Sequence, residues 1–110
     1  MTNVQQAVDS CLCPRFQKTF SILGKKWSGL IIEVLLLGDR RFKDLSEEIP
    51  AVSDRVLVER LKELEDEGIV LRTEKNEGPI KVSYSLTEKG KALEGVMSEI
   101  QLWSNNWIEA

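Results

Sequence analysis

A chain of 110 residues that is 42% hydrophobic and 30% charged has the balance of a single globular domain rather than of a disordered segment. It holds no histidine and two cysteines, which excludes a Cys/His zinc site, a Ser-His or Cys-His nucleophile pair and a histidine general base, and leaves too few thiols for a four-ligand metal site within one chain. With 15 basic against 18 acidic residues, a net charge of −3 and a pI of about 5.1, bulk charge lends no support to a nucleic-acid partner, although binding depends on where charges sit rather than on their sum.

Residues 1–12 read as a polar, loose arm without the basic start and apolar stretch of a signal peptide. The longest apolar segment, Leu30 to Leu37, is interrupted by Glu33 and is too short to span a bilayer. The expectation is a soluble, cytoplasmic protein with no membrane partner, whose cysteines are normally reduced. From Pro14 the pattern turns helical, with Phe16, Phe20 and Leu23 at i, i+4 and i+7 until Gly24 breaks the period. Lys25 to Leu37 predicts a second helix, apolar nearly all round and therefore central. Gly38-Asp39 punctuates, Arg40 and Arg41 open a short helix over about Phe42–Ile49, and Pro50 closes it.

Ser53 is an N-cap for the next helix, which runs to about Glu67 with Leu57, Leu61 and Leu64 as its apolar stripe and Gly68 as its stop. The period then changes from 3.6 to 2. Residues 69–73 and 80–86 are strand-like, and Asn76-Glu77-Gly78-Pro79 supplies the turn of a hairpin. Thr87 caps a last helix over 87–108, whose stripe is Leu93, Val96/Met97, Ile100, Trp103 and Trp107. A short helix, a tight turn, a well-capped helix and a hairpin make a winged helix-turn-helix, an α+β fold that is mostly α, with a two-stranded wing.

Several stretches resemble the HxlR-type bacterial transcription regulators, relatives of the MarR winged-helix proteins. They are Cys13-Pro14, Leu23-Gly24-Lys25-Lys26-Trp27, Arg41-Phe42-Lys43-Asp44-Leu45, residues 57–65 with Gly68-Ile69-Val70, and residues 82–90. Each alone is weak; together, in order from residue 13 to residue 90, they cover most of the chain. The resemblance implies one winged-helix domain over 1–110: helix-turn-helix at 42–67, wing at 69–86, and dimerisation helices at both ends. It also implies a homodimeric DNA-binding repressor or activator. Several relatives respond to quinones, aldehydes or oxidants through a cysteine at the position of Cys13.

The helix from Ser53 is then the recognition helix. With its leucines facing the core, Ser53, Asp54, Arg55, Val58, Glu59 and Lys62 turn to solvent or DNA. Its N-terminal dipole favours phosphate, and Arg55 can reach guanine edges. Glu65-Asp66-Glu67 at its far end would be repelled by a phosphate backbone, which orients the helix. Arg40, Arg41 and Lys43 ahead of it, Arg72, Lys75 and Lys81 on the wing, and Lys25 and Lys26 are candidate phosphate contacts. Residues 25–81 hold 11 Lys/Arg against 13 Asp/Glu, so non-specific affinity should be modest and salt-dependent. Each position also reads as an ordinary solvated charge.

Two tryptophans in the last eight residues are unusual for a chain end. Phe16, Phe20, Leu93, Val96, Met97, Ile100, Trp103 and Trp107 form the candidate dimer interface; packing of the two terminal helices within one chain is the alternative. Cys13, before Pro14 at a helix start and beside Arg15, has a setting that lowers a thiol pKa. From residues alone it is equally a small buried apolar residue; the resemblance implies sensing. Cys11 is a secondary thiol, and an 11–13 disulfide would close a strained ring. The function expected is a DNA-binding regulator sensing a small electrophile or oxidant, with no cofactor and no metal. The alternatives are a ligand-responsive regulator without cysteine chemistry and a winged-helix protein-interaction module. The clustered acids Glu63, Glu65, Asp66 and Glu67 lack any cofactor fingerprint or paired-carboxylate pocket, so an enzyme is not expected.

Overall fold

A computed structural model describes residues 13–76 and 78–110; the expectations for the 1–12 arm and Cys11 lie outside them. The order is α1 (Pro14–Leu23), α2 (Ser28–Leu37), β1 (Arg40–Arg41), α3 (Phe42–Glu48), α4 (Asp54–Asp66), β2 (Val70–Asn76), β3 (Ile80–Leu86), α5 (Glu88–Lys91) and α6 (Glu94–Trp107). The core gathers Ile31, Ile32 and Leu35 of α2, Leu45 of α3, Leu57, Leu61 and Leu64 of α4, and Ile69, Val70 and Leu86 beside the wing. Helix α2 runs through the middle, as its apolar composition requires. No helix among the described residues is long and apolar enough to cross a membrane.

Helix α4 is fixed at both ends by its sequence. The Ser53 hydroxyl accepts the Val56 N–H at 3.2 Å, satisfying one of the donors a helix start leaves open. At the other end Gly68 adopts φ +75°, a left-handed conformation that glycine reaches without steric cost. This lets the Ile69 N–H turn back to the Leu64 carbonyl at 2.9 Å. The hairpin follows directly, in a register from Val70↔Leu86 to Asn76↔Ile80.

Four boundaries differ from expectation. Helix α2 starts at Ser28 rather than Lys25, because Trp27 sits at φ +79° and leaves residues 25–27 in a turn. Arg41 is the N-cap that opens the short helix, its N–H donating to Asp44 Oδ2 at 3.1 Å, but Arg40 and Arg41 also form β1, which pairs antiparallel with β3 (Arg40↔Tyr84, Arg41↔Ser83) and makes the sheet three-stranded in the order β1-β3-β2. The second strand runs further than residue 73, to Asn76. The final helix divides at residues 92–93. Gly90 lies so close to the Ile69 carbonyl and Leu86 that a Cβ would collide with both, and the Leu93 N–H bonds the Gly90 carbonyl three residues back, tightening the chain before α6 resumes.

Candidate functional site

The recognition-helix candidate, α4, buries its three leucines and exposes Asp54, Arg55, Val58, Glu59 and Lys62. The Arg55 side chain is 89% exposed, with Nε 3.7 Å from Glu59 Oε1. That spacing is a loose i,i+4 pair, worth little in water. Asp54 has a bracing role instead: Ser46 Oγ of α3 donates to its Oδ1 at 2.8 Å, locking the two helices of the helix-turn-helix together. Val58 is half exposed, an apolar position on the polar face.

The basic residues divide into occupied and available groups. Arg40 is the most occupied of the phosphate candidates. Its Nε bonds Glu48 Oε2 at 2.8 Å, its Nη1 bonds the carbonyls of Gly38 and Asp39, and it is part-buried. Lys25 is held at 2.8 Å by Glu63, and Lys26 lies 5.0 Å over the Trp27 ring. Arg72 donates to Glu74 at 2.7 Å, and that bond, then one with Tyr84 across the ladder, holds its guanidinium above the ordinary range. Lys43 is 84% exposed, at a marginal 4.0 Å from Glu47. Arg41, Lys62, Lys75 and Lys81 are exposed and make no ion pair among the described residues. Lys75 and Lys81 face each other in register near the hairpin tip. Like charges across a ladder are unfavourable alone and are relieved by an anion.

Cys13 is the N-cap of α1, partly exposed and not in a disulfide. Backbone N–H groups of Phe16 and then of Arg15 favour its thiolate, desolvation opposes them, and the Arg15 side chain adds the least; the pKa falls below the ordinary thiol value. The rings of Phe16 and Phe20 meet at a tilt, with centroids 4.9 Å apart, on a helix that fully buries none of its residues. On α6 the exposed face carries Val96, Ile100, Trp103 and Trp107 at i, i+4, i+7 and i+11. Met97 points the other way: it is buried in the chain's own core, with Gly29 of α2 in reach of its Cε, and it leaves the dimer set. Leu93 is half-buried against the same core. Leu102 and Ile108 add exposed apolar surface that the stripe did not include.

Arg60 and Glu63 were not singled out as a pair. Arg60 Nε donates to the Lys26 carbonyl at 2.9 Å and its Nη1 lies 3.4 Å from Glu63 Oε1. Their positions flanking the leucine stripe were the one available signal. Between α1 and α4 lies a cleft of about 320 Å³ lined by Lys18, Lys25, Ser28, Glu63 and Glu67 among others. Among the described residues no cluster of three or more acidic, cysteine or histidine side chains is arranged to hold a metal.

A model of the family described as HxlR-like helix-turn-helix matches residues 22–110. The transcriptional regulator YodB of Bacillus subtilis (strain 168) is 51% identical over 98 residues, spanning 89% of this chain and 88% of YodB. The reduced form of YodB superposes with a TM-score of 0.81 at 52% identity, covering 88% of this chain and 95% of that one. YodB has also been solved after diamide treatment and with quinone bound, with TM-scores of 0.76 and 0.74 at 51% and 48% identity over 89% and 86% of this chain, and 97% and 100% of theirs. The redox regulator HypR in its oxidized form matches at a TM-score of 0.81 and 34% identity, over 89% of this chain and all of that one.

Proposed function

The chain belongs to the HxlR-like helix-turn-helix family of transcriptional regulators, and from that premise we propose that it is a homodimeric repressor whose hold on operator DNA is released when Cys13 is modified. The observation that carries this reading is the Cys13 thiol. It is part-exposed, has a lowered pKa and stands at the start of a helix with no fully buried side chain, in a chain half identical to a regulator solved with quinone bound.

Residues 42–67 act as the helix-turn-helix and the β2–β3 hairpin as the wing. The N-terminal half of α4 enters the major groove, with Arg55 exchanging its loose partner Glu59 for a guanine edge. Arg41, Lys43, Lys62, Lys75 and Lys81 serve phosphates, and Arg72 does so only by sharing with Glu74. Glu65 and Asp66 keep the far end of α4 off the backbone. The exposed faces of α1 and α6 pair with those of a second copy, joining Phe16 and Phe20 to Val96, Ile100, Trp103 and Trp107. A two-fold dimer reads half-sites roughly 34 Å apart or a multiple of that. DNA as partner implies the cytoplasm as working compartment.

In the sensing step the Cys13 thiolate adds to a ring carbon of a quinone. A C–S bond forms, the ring's electrons move onto its oxygens, and proton uptake leaves a hydroquinone thioether. The added group lies at the start of α1, next to the apolar face assigned to the dimer. The test is a gel shift on DNA upstream of the protein's own gene, with and without benzoquinone or diamide. Wild type should release the DNA and Cys13→Ser should bind it yet ignore both reagents. Release of the mutant to the same extent would remove Cys13 from the mechanism, and a failure of the unmodified protein to bind would favour the protein-interaction module.

A further inference from the structure

Helix α1 has no fully buried side chain; only Ile22 and Leu23, in its last turn, are part-buried against the core. Its covalent joint is the turn at residues 24–27, where Trp27 holds the left-handed φ of +79°. Among the described residues three polar ties connect α1 and this joint to the body, and all end on α4 or its cap. Lys18 Nζ lies 3.1 Å from Glu67 Oε1, Lys25 Nζ lies 2.8 Å from Glu63 Oε1, and Arg60 Nε donates to the Lys26 carbonyl at 2.9 Å. Residues 60, 63 and 67 fall at i, i+3 and i+7, a single row along the flank of the leucine stripe. The Glu67 carbonyl is itself held by Lys89 Nζ of α5 at 2.6 Å, so the end of α4 is pinned from two sides. The ties border the cleft of about 320 Å³ between the two helices, so much of this contact is charged and open rather than close-packed.

We propose that Glu63 and Glu67 are positioning residues that transmit the attitude of α1 to the recognition helix, so that a group added at Cys13 is felt at α4 within the same subunit. This rests on the reading of α4 as the DNA-binding helix and of Cys13 as the modified thiol. The physical argument is one of compliance. A helix docked by buried leucines either stays or unfolds, because close-packed cores resist sliding. A helix anchored by two part-buried side chains at its last turn, and tied elsewhere by part-exposed ion pairs across an open cleft, can pivot about that end and carry its partners with it, since each pair is weak and tolerant of geometry. Coupling through such ties is of limited strength, in the range of a several-fold to roughly hundredfold change in affinity that regulation needs.

The test uses the full chain in a Cys11→Ser background, alkylated at Cys13 by N-ethylmaleimide, whose double bond takes the sulfur on one carbon and a proton on the other. Hydrogen exchange of the unmodified and alkylated proteins is compared without DNA. Alkylation should speed exchange by at least about fivefold in peptides covering 24–29 and 60–68. In Glu63→Gln/Glu67→Gln that response should vanish. Lys18→Glu alone should weaken the response, and Lys18→Glu/Glu67→Lys, which restores the pair with its charges exchanged, should recover it. A parent whose α4 exchange is unmoved by alkylation, or a Gln variant that responds as the parent does, overturns the proposal. Operator affinity measured on the same samples separates the two readings. Altered α4 exchange with unaltered affinity leaves the coupling standing and removes Cys13 as the sensor. Lost affinity with unaltered exchange does the reverse.

Discussion

Helices α1 and α4 are both amphipathic, yet one is built into the molecule and the other is hung on it. Helix α4 has 13 residues, a serine cap, a glycine stop and three buried leucines. Helix α1 has 10 residues, a cysteine N-cap whose side chain makes no capping hydrogen bond, and two phenylalanines in tilted contact, half in solvent. An apolar stripe states that a helix face must be covered; it does not state by what. In α4 the cover is the chain's own α2 and wing. Of the stripes on α1 and α6 the core covers only Leu23, Leu93 and Met97; Phe16 and Phe20 on one helix and Val96, Ile100, Trp103 and Trp107 on the other are left open, which under the proposed dimer is the place for a second copy.

The strongest way to break this contrast is to truncate each stripe. Leu61→Ala should destabilise the protein by about 2–5 kcal/mol, through lost transfer energy and the cavity left behind, at every protein concentration. Phe20→Ala should leave the isolated subunit nearly as stable and show its effect as concentration dependence. Urea titrations at two concentrations read both. If Phe20→Ala proves as costly as Leu61→Ala and independent of concentration, α1 belongs to the core after all. Trp103→Ala sharpens the same point on α6: a central aromatic at an interface costs about 2–4 kcal/mol of association, roughly a thirtyfold or greater weakening, measurable by sedimentation. An unmodified protein that sediments as a monomer at micromolar concentration would end the dimer reading.

On α4 the expected effect concerns discrimination. Arg55→Ala should lose about 1–3 kcal/mol on the preferred site and much less on random DNA. Equal losses on both would make Arg55 a phosphate contact. Below that comes the cap. Ser53→Ala should cost about 1 kcal/mol of stability, seen as a lowered urea midpoint with unchanged slope.

What could be read from the sequence follows the same division. The ends of α4 were legible because Ser53 and Gly68 are local signals with local causes, and β3 was legible from its period of two. Strand β1 was not: two residues carry no periodicity, and Arg40 and Arg41 join the sheet only because β3 passes beside them. The start of α2 was missed because the left-handed turn at Trp27 occurs at a residue type that gives no warning of it. The stripe on α6 was found, but which of Val96 and Met97 faces inward depends on Gly29 across the fold, not on spacing. Arg40 reads as a free cation in the sequence, and its pairing with Glu48, eight residues on, is visible only in the fold. Long-range polar pairing is invisible in one sequence, and the Lys18–Glu67 and Lys25–Glu63 ties escaped for the same reason.

The smallest effect tests the soft end of the comparison. Backbone N–H groups of the first turn of α1 are the main cause of the lowered Cys13 pKa, with the Arg15 side chain last among the contributors. The shift is therefore a property of the folded helix start and should disappear when α1 unfolds. Alkylation rates followed against pH in the Cys11→Ser background should show a midpoint below the ordinary thiol value of 9.0 in native protein and near it in urea. Arg15→Ala should raise the native midpoint only slightly. The linkage sign follows. Because the folded pKa is the lower one, the thiolate's contribution to stability is full above the unfolded pKa and is lost as pH falls through the folded one. A raised thiolate fraction and stability gained as pH rises thus share one cause. A native midpoint equal to the unfolded one would show that the helix start does not activate the thiol, and Cys13 would then be no more prone to modification than any exposed cysteine.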